Sequence, residues 1–225
     1  VNIKARLLLR RAWCNLDFYS HKEVNMNPFV TKYDKPLALG FGVLSLLFIA
    51  AMTYPPFFDW AFARHHNLLS WYIRPLFLIP FSYFAYRRSL AGIFAMIFLL
   101  LTSMFWFPAP AVVDEMAATF LAMEQAYLTS DWTWGKLGAT ALVPLSLWAL
   151  AAALWLRSVR FGIGVVIFMA VAKLLWSVVQ AGDAGLSILA PAVVGLALCI
   201  VFLYWGFYGG VRRFARSSRE INHTK

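Results

Sequence analysis

Apolar residues come in long unbroken runs rather than in the alternation of a strand or the single stripe of a soluble helix. Six runs stand out, at 36–53, 68–86, 89–107, 135–156, 161–180 and 186–208. A helix needs about 20 mostly apolar residues to cross about 30 Å of hydrocarbon, and each run comes close to that length. Such runs must be helical, because every backbone N–H and C=O has to find its partner without water. Arg74, Pro75 and Pro80 interrupt the second run and should bend it. The expected fold is all-α: a polytopic transmembrane helix bundle of six spans within 36–208. A basic segment, 1–35, precedes it and a basic tail, 209–225, follows.

The longest connection between runs is 108–134. Pro108 and Pro110 stop the third span. Beyond them, 111–128 shows helical period. Val113, Met116, Ala117, Phe120, Leu121, Tyr127 and Leu128 share one stripe, with Asp114, Glu115, Ala118 and Gln125 on the other side. Three carboxylates make a seventh span too costly, so an amphipathic helix on the outer membrane surface is expected. Glu124 breaks the pattern. At about 100° per residue it projects into the apolar stripe beside Phe120 and Tyr127. A carboxylate there needs a cation, a donor or water, which points to pairing with Lys173 or Arg74.

Charge gives these runs a direction. Lys4, Arg6, Arg10, Arg11, Lys22, Lys32 and Lys35 precede the first span. Arg87 and Arg88 lie between the second and third, and Arg157 and Arg160 between the fourth and fifth. Arg212, Arg213, Arg216, Arg219 and Lys225 follow the sixth. Those sixteen cations share one side, against Arg64 alone in the loops opposite, so the positive-inside bias puts both termini in the cytoplasm. Tyr54, Trp71, Trp106, Trp132 and Trp134 fall at the outer ends of spans, and Tyr86, Trp155, Tyr204, Trp205 and Tyr208 at the inner ends, as interfacial anchors.

Composition agrees. Hydrophobic residues make up 62% and charged residues 13%, a membrane composition. The net charge of +10 would point to nucleic acid on a soluble chain. Here it flanks apolar runs without a recognition motif, so no nucleic-acid partner is expected.

Polar groups inside the spans are the candidate chemistry. Lys173 lies about 10 Å below the outer end of the fifth span. Gly162, Val166, Met169, Ser177 and Gln180 share its face, while Phe168, Leu175 and Val179 share the opposite one. Either Lys173 faces an interior cavity, or its stem snorkels to the headgroups. Arg74 shares a face with Asn67, Ser70 and Trp71, and has the same two readings. Lys173, Arg74, Gln180 and Glu124 form the expected ligand site, suited to an anion. His65 and His66 read as a surface pair in the first outer loop, since adjacent residues point apart and make a poor metal site. Gly206 and Gly210 form a GxxxG that allows close helix approach.

Absences narrow the function. No span contains histidine, which removes bis-histidine haem, and there is no phosphate loop, HExxH or GxSxG. No cofactor or metal is expected, and no nucleophile or acid–base pair supports an enzyme. Cys14 and Cys199 are too few for a disulfide framework. The basic segment 1–25, before Met26, has two readings: an upstream extension absent from the cellular protein, or a basic amphipathic arm on the membrane surface.

The stretch Thr102-Ser103-Met104-Phe105-Trp106-Phe107-Pro108-Ala109-Pro110, followed by Phe120-Leu121-Ala122-Met123-Glu124, resembles a pattern in uncharacterised bacterial inner-membrane proteins. The resemblance covers about the last two thirds of the chain. It implies a bacterial plasma-membrane location and brings no activity. Two functional classes stay open: a small transporter-like or ligand-binding bundle, and a non-catalytic accessory or assembly subunit. The expected partners are the lipid bilayer and either a second copy or a membrane subunit.

Overall fold

The computed structural model describes residues 28–206, with side chains described from residue 32. The described residues are almost wholly helical, and no strand occurs among them. In chain order the helices are α1 (Pro28–Ala51), α2 (Pro55–His65), α3 (Leu69–Leu76), α4 (Leu78–Tyr86) and α5 (Leu90–Thr102). Then follow α6 (Glu115–Thr129), α7 (Trp134–Trp155), α8 (Val159–Ala181) and α9 (Leu189–Tyr204). Two 3-10 turns, Ser103–Phe105 and Gly182–Ile188, lie between them.

Three stretches are long and apolar enough to cross a membrane: Lys32–Ala51, Trp134–Trp155 and Val159–Tyr204. The bent pair Pro55–His65 and Leu69–Tyr86 makes a fourth if it counts as one crossing, and Leu90–Phe105 is apolar but shorter. The stretch Val159–Tyr204 is not a single rod. Gly182 takes φ +55°, and a Cβ on Gly185 would collide with the backbone of Ser177 and Val178, so the turn lies back on the end of α8. Then α9 returns along α8, and Val165 and Val166 share a buried cluster with Cys199 and Leu203.

Two tight hairpins are built to one design. Arg88 and Arg157 sit at φ 58° and 63°, each just past a helix end. The next amide closes the turn in each case: Ser89 N donates to Phe84 O at 3.0 Å, and Ser158 N to Ala153 O at 2.8 Å. Each turn is followed by a glycine that lets the helices touch. A Cβ on Gly92 would run into the Phe84 ring, and one on Gly162 would meet Leu154 Cδ2 at 3.0 Å. The turns also clasp each other. Arg88 Nε donates to Trp155 O at 3.3 Å, and Arg157 Cζ lies 4.0 Å from the Tyr86 ring centroid.

The structure differs from the sequence expectation at several ends. α1 starts at Pro28, upstream of 36, and continues through Pro36. The stretch before Pro36 is anchored by buried Asp34, whose carboxylate accepts from Ser89 Oγ (2.7 Å), Leu90 N (2.9 Å) and Ala91 N (3.1 Å). An anion at the N-terminus of α5 satisfies amides that lack intrahelical partners. α6 starts at Glu115 rather than 111, because the Asp114 carboxylate accepts from Ala117 N at 2.8 Å and caps the helix. The stretch 54–67, expected as the first outer loop, contains α2. Pro55 and Pro56 occupy its first positions, where a missing N–H costs nothing. The expected break in the second run falls at Phe77, between Pro75 and Pro80.

Buried residues form two clusters. One joins α4, α5, α7, α8 and α9 around Phe81, Leu150, Leu154, Val166 and Leu203. The other joins α2, α3, α6 and both 3-10 turns around Phe62, Trp71, Met104, Phe120, Leu121 and Ile188. Most of the basic segment and the whole tail, with Cys14 and Gly210, lie outside the described residues.

Candidate functional site

The sequence places Ser70, Trp71 and Arg74 one turn apart on α3, so they share a face. The helix pair Pro55–His65 and Leu69–Tyr86 is bent by 92°, which brings the last turn of α2 against that face. His65 is 4% exposed and tied at three points. Its Nδ1 lies 2.8 Å from Ser70 Oγ, its Nε2 lies 3.0 Å from Arg74 Nη1, and its carbonyl accepts from Trp71 Nε1 at 2.9 Å. Arginine can only donate, so Nε2 is the acceptor and Nδ1–H donates to Ser70: the ring is a neutral imidazole with a fixed tautomer.

α6 and α8 supply the second pair. Lys173 Nζ lies 2.5 Å from Glu124 Oε1. The Glu124 side chain is 17% exposed and that of Lys173 48%. The ammonium also sits 4.6 Å from the Trp176 ring centroid and 5.2 Å from that of Phe120. Glu124 therefore projects from the apolar stripe of its helix and meets one of the two cations expected for it. Arg74 is less satisfied. Its Nε is buried with no acceptor in reach, although its Nη1 is held by His65.

These groups line a cavity of about 240 Å³ at the seam of the two clusters. His65, Arg74, Glu124 and Lys173 contribute its charged and polar groups, while Leu78, Phe120, Val166, Met169 and Leu196 contribute apolar wall. Gly195 permits α9 to approach α3 here, since a Cβ would collide with the Pro75 ring. Cys199 Sγ, also in the wall, donates to Pro75 O at 3.3 Å.

The sequence-derived set thus splits. Arg74, Lys173 and Glu124 come together at the cavity. Gln180 does not: it is exposed and stands apart from the residues that line it. The expected surface pair is corrected as well. His65 is buried in the cluster, and His66 folds back on its own helix, with Nδ1 2.8 Å from Phe62 O. Trp71, expected as an interfacial anchor, is buried in the second cluster, and its N–H is satisfied by the His65 carbonyl. Ala61, Phe62 and His65 are the buried positions of α2, a stripe at helical spacing that has meaning only once 55–65 is a helix and not a loop.

Lys136 is a polar residue that the sequence pattern did not single out. It is buried at the start of α7, where Nζ donates to Ser130 O at 2.6 Å and to Leu128 O at 3.4 Å. That places a cation on the carbonyls ending α6, a favourable site for it. Among the described residues no group of His, Cys, Asp and Glu could hold a metal ion. Both His65 nitrogens are engaged, so this ring offers no general base. The site can neutralise and hold an anion. No family profile, curated protein or solved structure matches the chain.

Proposed function

We propose that the protein is a six-span bundle of a bacterial inner membrane that binds an anionic ligand in the outer half of its membrane domain. The spans are α1, α3 with α4, α5, α7, α8 and α9, with both termini cytoplasmic. α2 and α6 then lie across the outer surface. Supporting this is the charge bias of sixteen cations against two, Arg64 and the Lys136 at the outer start of α7, together with the bend that turns α2 away from α3. The observation that carries the ligand reading is the buried Nε without an acceptor on Arg74, a residue that lines a cavity. Arg74 and Lys173 outweigh Glu124 by one positive charge. A buried cation with an unmet donor is costly unless an anion completes it.

The test is thermal unfolding in neutral detergent with octyl phosphate as probe. A ligand that binds only the folded state raises Tm with concentration. The rise should appear in the wild type and vanish in Arg74→Gln; an equal rise in both would overturn the reading.

A second reading, an accessory or assembly subunit, has one observation in its favour. α1 exposes Leu39, Leu46 and Leu47, leaving apolar surface for a partner helix or a second copy. Cross-linking from Leu46→Cys in native membranes separates these cases, since a lipid-facing α1 gives no discrete product.

A further inference from the structure

Arg74 does not stand in the wall of one cavity alone. A second cavity, of about 380 Å³, lies where α1, α5 and α6 meet. Its apolar wall includes Phe48, Met52, Leu100, Leu101, Met104 and Leu128. His65, Arg74 and Glu124 line this cavity as they line the first. One small polar partition therefore separates two apolar chambers. Within it, His65 Nε2 already accepts from Arg74, and Glu124 is held by Lys173. The donor left over is on Arg74.

We propose that the ligand is a two-chain anionic phospholipid, with its phosphate on Arg74 and one acyl chain in each chamber. The inference rests on the anionic-ligand reading above. A phosphodiester carries one negative charge, which matches the single surplus positive charge of Arg74, Lys173 and Glu124. A zwitterionic headgroup would add an ammonium that needs a carboxylate, and Glu124 is engaged. A single-chain amphiphile fills one chamber and leaves the other without its tail. Inorganic phosphate fills neither. Entry from the bilayer is open, because Ile49 and Leu128 at the second chamber are exposed.

The experiment compares four probes on the purified full chain in neutral detergent, read as Tm against concentration. They are dioctanoyl-phosphatidylglycerol, dioctanoyl-phosphatidylcholine, octyl phosphate and sodium phosphate. Phosphatidylglycerol should bind best, with at least about tenfold lower apparent Kd than phosphatidylcholine or octyl phosphate. Ala170→Phe narrows the first chamber and Leu101→Trp the second. Each should weaken phosphatidylglycerol by about tenfold or more, and change octyl phosphate by less than about threefold. If octyl phosphate matches phosphatidylglycerol, or Leu101→Trp leaves phosphatidylglycerol untouched, the two-chain idea fails while the anion site stands. Stabilisation by sodium phosphate to the same extent as by phosphatidylglycerol would also remove the two chains and keep the anion site. If phosphatidylcholine matches phosphatidylglycerol and Arg74→Gln retains both, the anion site fails too. Should the chamber variants not fold, the wild-type ranking of the four probes still decides.

Discussion

Arg74 and Lys173 face the same physical problem, a cation in apolar surroundings, and reach different solutions. Lys173 takes a carboxylate and two ring faces; Arg74 takes a neutral imidazole and leaves one N–H unmet. Removing Glu124 should therefore strand Lys173. Glu124→Gln is expected to cost about 1 kcal/mol, reduced from a fully buried pair because Lys173 is half exposed, or about 2–4 °C in Tm. Glu115→Gln, on an exposed carboxylate, should cost much less. A double-mutant cycle with Lys173→Gln should show coupling, and strict additivity would remove the pair. At His65 the order of substitutions is diagnostic. His65→Phe keeps an aromatic ring yet strands Arg74 Nη1 and Ser70, so it should destabilise by about 2 kcal/mol, about as much as His65→Ala. His65→Gln retains an acceptor and should lose less in the same melt. The Glu124 pairing was legible because helical period set a carboxylate among apolar side chains. His65 was not, because adjacent histidines in a loop point to solvent, whereas here the chain forms a helix that turns one of them inward.

At the scale of the element, caps and close approaches decide where helices begin and how they meet. Asp34 joins α1 to the N-terminus of α5 through three hydrogen bonds. Asp34→Ala should cost about 1–2 kcal/mol and speed amide exchange at Leu90 and Ala91, while Asp34→Asn, keeping one oxygen, should cost less. Unchanged exchange there would show that the α5 amides do not need this carboxylate. The two hairpin glycines make a graded comparison. Gly92→Ala has to displace the Phe84 ring close to its own backbone, whereas Gly162→Ala meets the Leu154 side chain no nearer than 3.0 Å, with Leu150 in ordinary contact. Gly92→Ala should lower Tm clearly more than Gly162→Ala, although both replace glycine by a better helix former. The apolar runs behind these helices were readable from length alone, including the break at Pro75 and Pro80. The 111–128 stretch was readable as helix but not in its start, because period cannot tell a capping Asp114 from a helical one. α2 was missed because 54–67 lies between two apolar runs and reads as a loop, whereas Pro55 and Pro56 open a helix there.

For the whole molecule the open quantity is the number of crossings, which turns on how Val159–Tyr204 is counted. As one straight helix its 46 residues would extend about 69 Å, more than twice the hydrocarbon thickness. The turn at Gly182, the closeness of Gly185 to Ser177 and the shared burial of Val166 with Cys199 make it two antiparallel helices instead. If the arginine-rich hairpin turns are cytoplasmic, accessibility must alternate along the chain. Single cysteines at Asp131, Arg160, Asp183 and Ser217, in a chain with Cys14 replaced, test this; Cys199 is buried and can stay. A membrane-impermeant maleimide on intact cells should label Asp131→Cys and Asp183→Cys. Arg160→Cys and Ser217→Cys should label only after the membrane is opened. A single crossing by α8 and α9 would bury position 183 at membrane depth and leave it unlabelled in both conditions, which would reject six spans. Labelling of Ser217→Cys on intact cells would instead reject the cytoplasmic tail. Were the tail outside while 131 and 183 still labelled, the charge bias would have failed at a segment that carries five of the sixteen cations, and the proposed outer-half placement of Arg74 would lose that support.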